Sequence, residues 1–283
     1  MNCASSSLRR DRNQTWRLIV GVFATASAFS PTTRADQAII ISNRDNTLYE
    51  SPTGHLSNGA GVSMFVGRTN IGLNRRAVLN FDVAGAIPAG ATITSASLTL
   101  QLTQTTVPTQ NIDMHRLIVD WGEGTSVAPG AGGQGAPSTP GDATWIHTFY
   151  NGSFWNNSGG DFLPIITASQ TTGDVGSYTW TSTQLIADVQ DMLNSPGANF
   201  GWILIGDETF GGAADRFATR EDAFAGFRPT LTINFTTVPE PGVLALIALG
   251  AAACCGLRQY RESKAQCKPS RSCRRGTTRR SSR

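Results

Sequence analysis

Between residues 36 and 238 the chain contains neither cysteine nor lysine. The first absence excludes a disulfide framework and any thiolate chemistry there, since Cys3, Cys254, Cys255, Cys267 and Cys273 all lie outside. A stretch of about 200 residues buries enough surface to stand without such staples, and it is compatible with export into an oxidising compartment. The second absence leaves 8 Arg as the cations against 17 acids, a balance of −9 hidden within the formal +3 of the whole chain. A surface of that sign repels phosphate backbones, so no nucleic-acid partner is expected. Histidine is also scarce. His55, His115 and His147 lie in separate segments with no paired ligand at zinc spacing. There is no Gly-x-Ser-x-Gly elbow, no EF-hand loop, and no Gly-Lys-Ser/Thr after the glycine-rich stretch.

What is present is alternation. Ala77, Leu79, Phe81 and Val83 fall on one side of an extended chain, with Val78, Asn80 and Asp82 on the other. After a turn at Ile87-Pro88-Ala89-Gly90, Ala96, Leu98, Leu100 and Leu102 face inward and Ser97, Thr99, Gln101 and Thr103 outward. Ile93 is out of phase with Ala96, which predicts a bulge near Thr94-Ser95. Period-two faces with a polar outside point to an antiparallel sheet packed on one side. Further strands are expected at 38–42, 62–66, 112–121, 145–150, 200–205, 216–221 and 229–235, with a turn at 43–46. Residues 122–143 are almost devoid of apolar side chains and rich in Gly and Pro, so they read as surface loop. One helix is predicted near 182–194, from a capping pair Thr181 and Gln184 and the spacing of Leu185, Ile186, Val189, Met192 and Leu193. The continuous run Phe200 to Ile205 requires cover on both faces.

Both ends differ from this middle. Arg9, Arg10, Arg12 and Arg17 precede a short apolar run to Phe29, and Ala26-Ser27-Ala28 or Thr33-Arg34-Ala35 offers a cleavage site. That is the pattern of a secretory signal peptide over 1–35. At the other end Pro239-Glu240-Pro241 precedes the apolar run 243–257 and the cations Arg258, Arg261 and Lys264. An apolar helix followed by cations is a stop-transfer arrangement, with the membrane as its partner. Residues 238–261 resemble the PEP-CTERM sorting signal of bacteria that export proteins into a polysaccharide matrix. The resemblance implies an exosortase-type membrane processing enzyme as a partner, cleavage near Pro239-Glu240-Pro241, and a cell-surface or extracellular location. A basic tail, 262–283, follows.

The middle bears its own resemblance. Asp45-Asn46-x-Leu48-x-Glu50, Arg76 before Leu79-x-Phe81-Asp82, Ile87 to Ile93, and Ala96-x-Leu98-x-Leu100 look like the DNRLRE family, although Thr47 and Tyr49 stand where that motif has Arg. The family is disaggregatase-related and similar to carbohydrate-binding modules. It implies a β-sandwich; together with the strands and helix read above, residues 36–237 are expected to form an all-β, antiparallel, jelly-roll-like β-sandwich with one short helix.

Extracellular polysaccharide is therefore the expected ligand. Trp145, Tyr150, Phe154 and Trp155 fall within eleven residues, beside Asn151, Asn156, Asn157 and Asp161. Rings of this kind dock the apolar faces of sugars while polar neighbours bind hydroxyls. Trp155, in polar surroundings, is expected to be partly exposed, whereas Trp145 also reads as a core residue because it alternates with His147 and Phe149. No catalytic residues are assigned. Carboxylates are plentiful, but a glycosidase needs two about 5–10 Å apart, and an acidic excess is more often a solvated surface; Arg216, Arg220 and Glu221 likewise read first as ion-pair partners. No cofactor is expected beyond one structural calcium ion, which Asp and Asn beside Gly could hold.

Overall fold

The computed structural model describes residues 34–237 and the helical residues 250, 251, 253–255, 257 and 258. Residues 1–33 of the expected signal peptide, Pro239-Glu240-Pro241 and the basic tail lie outside the described residues, whereas Arg34 and Ala35 begin the first strand. Among the described residues no helix is long and apolar enough to cross a membrane.

The chain is mostly β. Its strands are β1 (Arg34–Ile41), β2 (Arg44–Tyr49), β3 (Leu56–Ser57), β4 (Ser63–Arg68), β5 (Asn74–Asn80), β6 (Thr92–Gln104), β7 (Gln110–Leu117) and β8 (Ala136–Pro137), then β9 (His147–Phe149), β10 (Ser153–Phe154), β11 (Phe162–Thr172), β12 (Gly176–Thr181), β13 (Trp202–Ile205), β14 (Asp215–Ala218) and β15 (Thr230–Thr237). Eleven of them form one antiparallel sheet in the order β1-β15-β6-β14-β4-β5-β13-β7-β11, with β12 on β6 and β2 on β5. Strand β4 is the corner of this curled sheet. Its residues 63–66 pair with β14, and Gly67 and Arg68 turn to pair with β5. Gly67 has φ 111°, and a Cβ there would lie 2.2 Å from the Ala213 carbonyl oxygen, so only glycine fits the corner.

The two halves of the sheet face each other across the main core. Leu98, Leu100, Leu102, Leu231 and Phe217 come from one side, and Ala77, Leu79, Met114, Trp202 and Leu204 from the other. The alternation of β6 is realised as read, and the predicted bulge is present. Asn234 pairs with Ser95 but Phe235 with Ile93, leaving Thr94 as the extra residue.

Strand β5 ends at Asn80, and Val83, expected on its inward face, starts a one-turn helix α1 (Val83–Ala86) capped by Asp82, so the single expected helix has a short companion. Helix α2 (Thr183–Asn194) closes one side of the core with Leu185, Val189, Met192 and Leu193. Its N-cap is Ser182, not the expected Thr181: the Ser182 hydroxyl accepts from Leu185 N at 2.8 Å. Asp188 is buried in the same face yet fully engaged. It accepts from Thr167 Oγ1 (2.5 Å), Trp202 Nε1 (3.2 Å) and Gln184 Nε2 (2.9 Å). Arg116 Nη1, 3.0 Å from Asp191 Oδ2, adds a tie from β7 to the helix.

Three expectations need correction. Strand β5 is not half-buried: Val78 is as enclosed as Leu79, because a second apolar cluster covers the sheet's outer face. The expected turn at 43–46 is largely strand β2, whose Arg44 to Tyr49 pair with Asn80 to Arg75. Residues 122–143, read as surface loop, fold over that same face instead, with Ser126, Ala136 and Asp142 buried and β8 paired to β3. Side chains replace the missing sheet partners for its backbone. Asp142 Oδ2 accepts from Thr139 N at 2.6 Å, and Asn58 Oδ1 accepts from Ala128 N at 2.7 Å.

Candidate functional site

The outer cluster takes two of the four predicted aromatic residues, Trp145 and Trp155. Leu48, Val78, Leu117, Trp121, Ala143, Trp145, Trp155 and Ile203 pack together, so the apolar run of β13 is covered by the main core on one face and by this loop layer on the other. Trp145 is 9 % exposed, and the Arg76 guanidinium lies 5.0 Å from its ring. Trp155 is 5 % exposed, and its Nε1 donates to the Thr144 carbonyl at 2.9 Å. The expected exposure of Trp155 is thus overturned. Polar flanks do not keep the ring in water, because Asp161 takes up the loop backbone after it, accepting from Asn156 N at 2.6 Å and Asn157 N at 2.9 Å.

The other two rings stay at the surface on a small hairpin. Strands β9 and β10 pair Phe149 with Ser153 and His147 with Phe154, and Asn151 takes the turn at φ 62°. Asn tolerates that left-handed geometry better than most residues. Phe154 is 64 % exposed with its ring centroid 4.6 Å from that of His147, and the half-buried Tyr150 meets the His147 ring edge-on at 5.1 Å. Asn151, Gly152, Ser153, Asn156 and Asn157, all exposed, flank Phe154 along the chain. It is an apolar ring surface bordered by amides and a hydroxyl.

A groove of about 330 Å³ lies at the corner of the sheet, lined by Phe65, Asn70, Arg75, Gln104 and Gln134 among others. Arg75 is 2 % exposed and is turned inward, with its guanidinium 4.8 Å from the Tyr49 ring and Nη1 donating to the Asn74 carbonyl at 2.8 Å. Burial lowers its pKa from the ordinary arginine value. The guanidinium beside Tyr49 on β2 is thus supplied by its pairing partner on the neighbouring strand β5.

A third constellation joins residues far apart in sequence. Asp45 on β2, Glu123 after β7 and Glu221 after β14 each place an oxygen within 4.8 Å of the others. Gly124, at φ 72°, lets the chain pass Asp142 directly after Glu123; a Cβ would meet Asp142 Oδ1 at 1.6 Å. Arg220 holds the group together. It donates from Nε to Glu123 Oε1 (2.7 Å) and from Nη2 to Glu123 Oε2 (2.6 Å), and its Nε lies 3.0 Å from Glu221 Oε1. The ion-pair reading of Arg220 and Glu221 therefore fits, while Arg216 Nε donates to Thr103 Oγ1 instead. Burial, and after it the Glu221 and Glu123 carboxylates, push Asp45 up to about 8 against the opposing Arg220 and Ser42 hydrogen bonds. Burial also raises Glu221.

The motif supplied Asp45 but nothing in the spacing tied it to Glu123 or Glu221. This trio is poorly suited to glycoside cleavage, because Asp45 is fully enclosed and out of reach of a sugar. No protein-family model matches the chain, and no curated protein is significantly similar to it.

Proposed function

We propose that the chain is an exported, non-catalytic bacterial surface or matrix protein that associates with extracellular polysaccharide. In this reading residues 36–237 are a jelly-roll-like β-sandwich of DNRLRE type, carried out by a signal peptide over 1–35. The PEP-CTERM-like segment 238–261 holds the protein in the membrane until an exosortase-type enzyme cleaves near Pro239-Glu240-Pro241. The observation that carries the ligand is the hairpin patch: Phe154, 64 % exposed, packed against His147, which also meets Tyr150, and flanked along the chain by exposed polar residues. An exposed ring with hydrogen-bonding neighbours suits the two-sided chemistry of a sugar. Trp145 and Trp155 then serve as the support beneath it and do not contact the ligand.

Phe154→Ala is the direct test. Affinity electrophoresis of the full chain through gels containing the producing cell's own exopolysaccharide should show retardation for the parent and its loss for the variant. Stability should change by no more than about 0.5 kcal/mol, as at other exposed positions. Equal retardation of parent and variant would remove the patch from the reading, and release of reducing ends would favour a polysaccharide-cleaving enzyme over a binding module. The processing steps have a separate check. Intact-mass analysis of secreted material should give a chain that lacks Arg258 to Arg283 and the N-terminal arginines, with a pI well below the 8.7 of the whole sequence.

A further inference from the structure

Two buried oxygens in the Asp45, Glu123 and Glu221 trio have no donor. Asp45 Oδ2 accepts from Ser42 Oγ and Arg220 N, both at 2.9 Å, and Glu123 Oε1 accepts from Asp45 N at 2.9 Å as well as from Arg220. Glu221 Oε1 faces Arg220. That leaves Asp45 Oδ1 and Glu221 Oε2, each enclosed and unpartnered. An unmatched buried acceptor is unfavourable, and more so when charged. Asp45 must give up its proton to ligate a cation, and with all three carboxylates ionised only one guanidinium, that of Arg220, faces them.

We infer that Asp45, Glu123 and Glu221 form a binding site for one calcium ion, with Asp45 Oδ1 and Glu221 Oε2 as its principal protein ligands. The donor set is all carboxylate oxygen, which suits a hard cation and offers no nitrogen or sulfur to zinc or copper. The Glu123 and Glu221 side chains are 14 % and 18 % exposed while Asp45 is not exposed at all, so an ion enters from the glutamate side and ends against Asp45. Arg220, already bidentate on Glu123, fixes that carboxylate and orients the site without competing for the two free oxygens. The ion ties β2 to the segments after β7 and β14, and so fastens the loop that starts the outer layer onto the sheet.

The probe is calcium chloride added to the full-length chain after removal of metal with a chelator. Calorimetric titration should give one saturable site per chain, and thermal unfolding should move to higher temperature as calcium is added. Glu221→Gln and Asp45→Asn should each lose the site and the thermal shift while keeping the parent circular dichroism spectrum. Asp120→Asn, at an exposed acid paired with Arg44, should leave both intact. Absence of saturable calcium binding by the parent would overturn the inference whatever the variants do. So would binding unchanged in Glu221→Gln, the milder of the two changes because its side chain reaches solvent.

Discussion

Val189→Asp should lower the stability of the protein by about 3–5 kcal/mol, the scale of an uncompensated buried charge. For a domain of this size that is roughly 6–20 °C in melting temperature. Val189 is fully buried on α2 among Leu185, Met192 and Leu193, with no polar partner to receive a carboxylate. Its neighbour Asp188 makes the case stronger. That carboxylate already takes the Thr167, Gln184 and Trp202 donors, so a second acid beside it would find none left and would add repulsion. Thermal unfolding followed by circular dichroism provides the check. A variant that melts with the parent would mean that α2 does not seal the core.

Trp155→Ala comes next, with an expected loss of about 3–5 kcal/mol for truncating a buried indole. The lost Nε1 bond also strands the Thr144 carbonyl. Trp155→Phe should fall between the parent and the alanine variant, since it keeps most of the ring and loses the N–H. The contrast with Phe154→Ala is the informative part: adjacent residues of one hairpin, one expected to alter melting and the other retention on polysaccharide. Parent-like melting of Trp155→Ala would show that the loop layer is not a core at all.

The parts that were legible in the sequence are those whose signal is local. Period-two faces in β6, the misphased Ile93, and the helical spacing of Leu185, Val189 and Met192 depend on near neighbours, and each has its counterpart in the structure. Residues 118–160 were illegible for a physical reason. A loop buries its backbone only when side chains supply hydrogen bonds, and whether Asp142, Asp161 or Asn58 does so depends on where the chain returns. Asn46 shows the scale of the difficulty: its amide serves Thr47 and Asn58 nearby but also Glu123 and Ala143, 77 and 97 residues away. The same distance hid the carboxylate trio and made Trp155 look exposed.

The pairing of the first and last strands sets a timetable. Every residue from Arg34 to Ile41 finds its partner between Thr230 and Thr237, on the order of 200 residues later. While the chain emerges in sequence order, β1 waits with its ladder edge open through the appearance of β2 to β14. Local elements such as the β9–β10 hairpin and α2 can form early, but β1 docks only once β15 is free. By then β2 is already paired and holds β1 through only Ser42 and Asn43, so the docking of β1 closes a short free loop. Refolding should be slower than for helical proteins of similar length, and the unpaired first strand is where a stalled chain is open to association with another copy.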